Sequence, residues 1–161
     1  NPTCARLGDA LSATASRGGV DARRGGTYIA IEGPQFSTLA ESNLYRQWGC
    51  DVIGMTNMPE AKLAREAEIC YATMAMVTDY DTWHPDHESV TAEMVVKVLA
   101  ANAQNAAALA THAVPELQDR PDACPNGCDR VLDTAIITAP AARDPEMVAK
   151  LGAVAGRVLQ P

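Results

Sequence analysis

The chain has few features of membrane or nucleic-acid proteins. Its longest nearly apolar stretch, residues 69–77, is far shorter than the ~20 residues that cross a bilayer. Thirteen basic side chains stand against twenty acidic ones, a net charge of −7, so a surface that neutralises phosphates is not expected. We therefore expect a protein that binds neither membrane nor nucleic acid, located in the cytoplasm.

Aromatic residues are also scarce, at 4%, with a single phenylalanine. The chain lacks the Gly-x-Gly-x-x-Gly, Walker and Gly-x-Ser-x-Gly motifs. These are the signatures of dinucleotide-binding proteins, P-loop nucleotide-binding proteins and serine hydrolases, so the sequence gives no indication of these classes. With 47% hydrophobic and 20% charged residues, the chain has a globular composition. Methyl-rich side chains must form most of its core.

The chain has five cysteines, an odd number, and their spacing does not suggest a set of disulfide bonds. Cys4, Cys50 and Cys70 lie in apolar patterns and are interpreted as small buried hydrophobes in a reducing compartment. Cys124 and Cys128 flank a Pro-Asn-Gly turn, and a metal there would need a second ligand pair, which is not found nearby in the sequence. Free thiols or a local disulfide are favoured, and no metal site is predicted.

Periodicity and turn residues predict alternating helices and strands, which is typical of an α/β fold with a mixed, largely parallel central sheet flanked by helices. The segments with helical signals are residues 2–16, 38–48, 59–68, 91 onward and 145–159. The long helix after residue 91 is expected to bury a face with Val95, Val98, Leu99, Ala106 and Leu109. Strands are predicted at residues 27–31, 51–54, 70–77 and 134–138.

Three of these strands end in polar or unusual sequences, at residues 32–37, 54–57 and 78–81. Ligands of open α/β sheets bind beyond the carboxyl ends of the strands, so the three ends are expected to meet in one site. Asp79 and Asp81 are two apart in extended chain and would face one side. In a dry cleft, mutual repulsion and desolvation would raise the pKa of one of the two carboxyl groups, which could then act as a general acid. The structural alternative, carboxylates that cap turns in a loop, is more common.

The other residues near these ends each allow an ordinary structural role. Thr56 could bind an anion at a helix start or simply cap that helix, and Phe36 could stack on a flat ligand or pack as an anchor. Glu32 could be a partner for a backbone N–H. His84 and His87 form one pair without a third ligand, so a mobile acidic loop is favoured over a metal site.

Taken together, several segments resemble the trimeric purine nucleoside phosphorylase family, and most closely its branch that acts on S-methyl-5′-thioadenosine. The matching motifs recur in the same order over residues 2–117 and are weak from residue 118 onward. They are Ile-Glu-Gly-Pro-Gln-Phe-Ser (31–37), Ala-Glu-Ser (40–42), Trp-Gly-Cys-Asp-Val-Ile-Gly-Met-Thr (48–56), Met-Pro-Glu-Ala (58–61), Leu-Ala-Arg-Glu-Ala (63–67) and Ala-Met-Val-Thr-Asp-Tyr-Asp-Thr-Trp (75–83).

The resemblance implies phosphate-dependent cleavage of S-methyl-5′-thioadenosine to adenine and S-methyl-5-thioribose 1-phosphate. It also implies one role for each matched residue. Asp79 contacts or protonates purine N7, Asp81 recognises the 6-amino group, Tyr80 contacts substrate, Met55 contacts ribose, Thr56 contacts phosphate, Phe36 packs on the base, and Ser37 and Ala92 influence substrate choice. Relatives that act on 6-oxopurines carry Asn at the first carboxylate position, so the two aspartates favour adenine.

The same resemblance sets expectations for the whole protein. Family members carry an N-terminal half with a Gly-rich phosphate loop, an Arg, a His and a further Thr, which this chain does not include. We expect residues 1–117 to be the C-terminal portion of the phosphorylase domain and 118–161 an extension packed on it. A homotrimer is implied, with phosphate as co-substrate and no cofactor. A 6-oxopurine nucleoside phosphorylase and a non-catalytic nucleoside-binding piece are the alternatives.

Overall fold

The computed structural model describes residues 1–85, 91–118 and 123–159, which form six α-helices around a small parallel sheet. The elements run in the order α1 (Ala5–Arg17), β1 (Tyr28–Ala30), α2 (Leu39–Gln47), β2 (Val52–Gly54), α3 (Glu60–Glu66), α4 (Ala92–Glu116), the 3-10 helices Cys128–Thr134 and Pro140–Ala142, α5 (Pro145–Lys150) and α6 (Gly152–Leu159). The α/β architecture predicted from the sequence is confirmed.

Strands β1 and β2 pair in parallel and are connected through α2. Their register places Tyr28 opposite Val52 and Ala30 opposite Gly54, and the Ile31 N–H donates to the Gly54 carbonyl at 2.9 Å. Parallel pairing brings both carboxyl ends to the same edge of the sheet, so the segments that follow β1 and β2 start side by side.

Helix starts are held by side-chain caps at the positions that the sequence indicates. Thr38 and Glu41 form a reciprocal capping box on α2: the Thr38 N–H and hydroxyl both donate to the Glu41 carboxylate, at 2.8 and 2.7 Å. These bonds lower the pKa of Glu41. The Thr91 hydroxyl accepts from the Met94 N–H at 3.2 Å and caps α4.

Two predicted strands and one predicted helix are wrong in the described residues. Residues 70–77 form no ladder: Tyr71 accepts one bond from the Cys4 N–H, and Val77 accepts one from the Asn102 amide. Apolar residues alone do not make a strand, because each strand needs a paired neighbour. The expected strand at residues 134–138 begins where the 3-10 helix Cys128–Thr134 ends, and the helix predicted at 145–159 is interrupted at Leu151.

The buried core is small and is made mainly of alanine and cysteine. Helix α1 packs on α4, where Arg17 forms an ion pair with Glu116 and the Thr14 hydroxyl donates to the same carboxylate at 3.3 Å. On the expected apolar face of α4 only Leu109 is buried, whereas Leu99 is 49% exposed. Within the described ranges, none of the helices has both the length and the apolarity required for a transmembrane span.

Candidate active site at the strand ends

A hydrogen bond between Ser37 and Asp81 joins the segment after β1 to the segment after residues 70–77. The Ser37 hydroxyl lies 2.7 and 2.8 Å from the two carboxylate oxygens of Asp81 and donates to this carboxylate. Ser37 is buried and Asp81 is half-buried, although they are 44 residues apart in the chain. A bond to a charged acceptor in a shielded position is among the stronger protein hydrogen bonds. It fixes the Asp81 carboxylate beside the segment that carries Phe36.

Met55 and Thr56, which follow β2, reach back to the first strand and its turn. Gly33 has a φ of 74°, and a Cβ there would lie 2.9 Å from the Met55 sulfur, so glycine allows this close approach. The Tyr28 and Thr56 hydroxyl oxygens are 3.5 Å apart. Met55, expected to contact ribose, therefore lies against the Gly33-Pro34 turn, and Thr56, expected to contact phosphate, lies beside Tyr28 of β1.

Asn57 links the second strand end to the run of residues 70–77. Its backbone has a φ of 78°, and its side chain is buried. The side-chain oxygen of Asn57, Oδ1, accepts hydrogen bonds from the Tyr71 hydroxyl, at 3.1 Å, and from the Thr73 hydroxyl. Asn57 could not be identified from the sequence, because its partners are 14 and 16 residues away and no local motif marks them. With this link, the segments that follow β1, β2 and residues 70–77 are joined, although only the first two of them follow strands.

The dry cleft expected around both aspartates is not present. Asp79 is exposed and accepts a hydrogen bond from the neighbouring Thr78 hydroxyl at 2.5 Å. Phe36 is 83% exposed, and Met55 and Thr56 are also exposed. The expectation of two carboxylates shielded together is therefore wrong for this chain, because only Asp81 has a shielded partner. The predicted site residues form an open surface.

An aromatic cluster follows the two aspartates. The rings of Tyr80 and His84 stack with centroids 4.2 Å apart, and Trp83 packs edge-on against both. The guanidinium of Arg46, on α2, lies 3.8 Å above the Trp83 ring, which is a cation–π contact. This contact holds the loop after Asp81 against α2. His87 lies outside the described residues, and Ala92 is the first residue of α4.

Four cysteines that the sequence analysis separated come together in the structure. The sulfur atoms of Cys4, Cys70, Cys124 and Cys128 all lie within 4.8 Å of one another. Burial opposes ionisation of Cys124, but N–H groups of Cys128 and Asn126 donate to its sulfur, and its pKa is lowered to about 6. Burial raises the pKa of Cys128 to about 12. The two cysteines that lie beside Cys124 and Cys128 are Cys4 and Cys70, which are distant in sequence, so spacing along the chain did not indicate the cluster.

The sequence of the chain is similar to those of known proteins. The family described as the Phosphorylase superfamily matches residues 1–115. The S-methyl-5′-thioadenosine phosphorylase of Cereibacter sphaeroides is 62% identical over 161 residues, covering 99% of this chain and 55% of the relative. The enzyme of the same name from Rhodospirillum rubrum is 61% identical, covering 99% and 54%. The similarity therefore extends past residue 117, where the sequence analysis considered it weak.

Solved structures show the same likeness in three dimensions. A methylthioadenosine phosphorylase sourced from an antarctic soil metagenomic library superposes with a TM-score of 0.86 at 41% identity, covering 96% of this chain and 54% of that one. The methylthioadenosine phosphorylase of Schistosoma mansoni in complex with adenine gives 0.68 at 28% identity, covering 75% and 48%. The chain spans about half the length of the relatives that it matches. On the family match and the shared fold, this chain belongs to the Phosphorylase superfamily.

Proposed function

We propose that this chain forms the purine- and ribose-binding part of an enzyme that cleaves S-methyl-5′-thioadenosine with phosphate, releasing adenine and S-methyl-5-thioribose 1-phosphate. One observation carries the proposal: relatives named for this activity are up to 62% identical over 99% of the chain. The resulting enzyme is a pentosyltransferase, and we place it in purine and methionine salvage.

The contacts of Asp81 support a 6-aminopurine as the leaving group. Adenine presents a 6-amino donor, and a carboxylate can only accept. The buried Ser37 hydroxyl donates to the Asp81 carboxylate and fixes its position beside the segment that carries Phe36. A 6-oxopurine would place an acceptor against an acceptor, an arrangement that recognition sites reject strongly.

The proposed reaction is a displacement at the anomeric carbon. A phosphate oxygen bonds to C1′ while the bond from C1′ to N9 breaks, and the bonding electrons pass to the purine. Protonation at N7 stabilises the departing base, and we assign this proton to the Asp79 carboxyl. Phe36 and Tyr80 would contact the base, Met55 the ribose and Thr56 the phosphate, with Ser37 and Ala92 at positions that influence substrate choice.

The open surface around Asp79 supports a division of the site between this chain and further protein. A general acid acts best when water is excluded, and here Asp79 and Phe36 are exposed. We propose that segments outside these 161 residues cover this surface and supply most of the phosphate contacts. A homotrimer in the cytoplasm, with phosphate as co-substrate and no cofactor, is part of the same proposal.

A chimera tests the function directly. The segment of the Cereibacter sphaeroides relative that does not align with this chain is fused to it, and release of the purine base (adenine from S-methyl-5′-thioadenosine, hypoxanthine from inosine) is measured with and without phosphate. We expect phosphate-dependent release from S-methyl-5′-thioadenosine by the chimera, little from inosine, and none by the 161-residue chain alone. A folded chimera that prefers inosine would instead support the 6-oxopurine alternative, and one that binds adenine without turnover would support a binding role.

A further inference from the structure

We propose that Cys4, Cys70, Cys124 and Cys128 form a structural zinc site. Four thiolates around Zn²⁺ at a Zn–S distance of ~2.3 Å form a tetrahedron whose sulfur atoms are about 3.8 Å apart. The sulfur atoms of Cys4 and Cys124 are 3.8 Å apart, and all four lie within 4.8 Å of one another. The cysteines are therefore arranged close to the geometry of a four-coordinate ion.

The cluster is closed, which indicates a structural rather than a catalytic metal. Cys4 and Cys128 are almost fully buried, at 1% and 2% exposure, and Cys70 and Cys124 are half-buried. Catalytic zinc has three protein ligands and an open position for water, whereas structural zinc has four. The fourth sulfur occupies the position that a catalytic water would need.

The surroundings of the sulfur atoms suit a negatively charged centre. Four thiolates and one Zn²⁺ carry a net charge of −2, and the Arg6 guanidinium lies 3.8 Å from the Cys70 sulfur. The Arg6 Nε is buried without a hydrogen-bond partner among the described residues. The Asn126 side-chain oxygen accepts from the Arg6 backbone N–H at 3.1 Å and from the Cys4 thiol at 3.7 Å, so it positions these residues but does not balance charge. A cation such as the Arg6 guanidinium, placed beside a ligand sulfur, balances the charge of a thiolate site.

Zinc explains the four-sulfur arrangement better than the other occupants of thiolate sites. All five cysteines lie in the described part of the chain and none is in a disulfide, although two bonds could be formed within the cluster. An iron–sulfur cluster holds inorganic sulfides between its irons and needs a wider cage than 4.8 Å between cysteine sulfurs. One small ion with a preference for thiolates fits this space.

The site would join three distant parts of the fold. Cys4 is the N-cap of α1, Cys70 begins the run that leads to Asp79 and Asp81, and Cys128 begins the 3-10 helix Cys128–Thr134. Tyr71, next to Cys70, is one of the two residues whose hydroxyls donate to the Asn57 side chain after β2. A metal here would fix the chain on one side of the proposed nucleoside site without contacting the substrate.

Metal analysis of the 161-residue chain tests the site independently of catalysis. The chain is expressed with zinc, purified under reducing conditions, and examined by elemental analysis and native mass spectrometry. We expect one Zn²⁺ per chain. We also expect one thiol, that of Cys50, to react readily with Ellman's reagent, and all five to react once a chelator has removed the metal. Replacement by Co²⁺ should give the visible spectrum of a tetrahedral four-thiolate site.

Matched cysteine variants locate the ion. Cys50→Ser should keep the full zinc content, because Cys50 is outside the cluster, whereas Cys128→Ser should lose it. The Co²⁺ spectrum of the unaltered chain keeps the test valid if Cys128→Ser fails to fold. A metal-free chain with five reactive thiols, disulfides in the cluster, iron in place of zinc, or zinc retained by Cys128→Ser would each overturn the proposal.

Discussion

At the scale of single residues, the two aspartates of the site have different surroundings. Asp81 is held by a buried hydroxyl through both of its oxygens, whereas Asp79 is exposed and contacts its neighbour Thr78. A fixed carboxylate suits recognition of a donor group, and an exposed carboxylate suits proton transfer once further protein closes over it. Their surroundings therefore agree with the separate roles proposed for them.

Replacing Ser37 tests whether the position of Asp81 matters for substrate binding. Ser37→Ala removes the hydroxyl that orients the Asp81 carboxylate. A hydrogen bond to a charged group contributes about 1.5–3 kcal/mol to the stability of the arrangement that it holds. In the active chimera we expect KM for S-methyl-5′-thioadenosine to rise about 10- to 100-fold, with a smaller change in kcat.

Ser42 provides the matched control. It is equally buried, on α2, and its hydroxyl has no hydrogen-bond partner in the described part of the chain. Ser42→Ala should therefore leave KM unchanged. Equal effects of the two variants would mean that Ser37 acts through packing and not through Asp81.

Replacing Asp79 tests proton transfer to the leaving base. Asp79→Asn keeps the size of the side chain and removes its acidic proton, so we expect kcat for S-methyl-5′-thioadenosine to fall at least ~10²-fold. Asp21→Asn, at an exposed loop position before β1, should leave kcat unchanged. Steady-state release of adenine measures both variants, and unaltered turnover in Asp79→Asn would remove the proposed role.

At the scale of elements, features set by neighbouring residues could be predicted from the sequence, whereas contacts between segments far apart in the chain could not. The Thr38-x-x-Glu41 pattern and Thr91 each mark a helix start, because a cap involves residues within one turn. The run at residues 70–77 has a strand composition, but pairing depends on a neighbour far along the chain. The cysteine cluster could not be predicted for the same reason, since 65 residues separate Cys4 from Cys70.

The last helix is attached to the rest of the fold by a charged cluster around Glu68. Arg157, on α6, bonds both oxygens of the Glu68 carboxylate, at 2.5 and 2.7 Å, and also Asp133 at 2.6 Å. The Leu132 N–H donates to the same carboxylate. The bond from Arg157, opposed by burial, lowers the pKa of Glu68 from 4.5. The segment after residue 118 is thus bonded to Glu68, just after α3, and its 3-10 helix Cys128–Thr134 contacts α3.

This cluster predicts a pH dependence of stability. Because the folded-state pKa of Glu68 lies below the unfolded value of 4.5, its contribution is present above that pH and is lost as pH falls through the folded value. Glu68→Gln should lower the free energy of unfolding by about 1–2 kcal/mol at pH 7, and by less towards pH 3. Urea unfolding from pH 3 to 7 measures this difference.

The exposed pair of Glu146 and Lys150 on α5 is the control. Glu146→Gln should lower the free energy of unfolding by less than about 0.5 kcal/mol at any pH, because exposed ion pairs contribute little to stability. A Glu68→Gln penalty that stays constant down to pH 3 would show that the pair with Arg157 is not what stabilises α6.

At the scale of the whole molecule, the chain exposes more surface than a compact protein of its size. The accessible area is 11360 Å², whereas a folded monomer of 17.0 kDa exposes about 7,700 Å². Among the described residues, twenty large apolar side chains are exposed, including Phe36 and Met55 at the proposed site. This surplus surface agrees with a chain that spans about half the length of its relatives.

The surplus surface predicts a measurable difference between the chain alone and the chimera. Exposed apolar patches of this extent bind hydrophobic dyes and promote association. We expect the 161-residue chain to bind anilinonaphthalene sulfonate strongly and to sediment as a mixture of associated species. In the chimera the added segment should cover the surface around Phe36, so dye fluorescence per chain should fall and a single species should sediment. A chimera that binds as much dye as the isolated chain would show that the two parts do not share an interface, and the proposed division of the active site would fail with it.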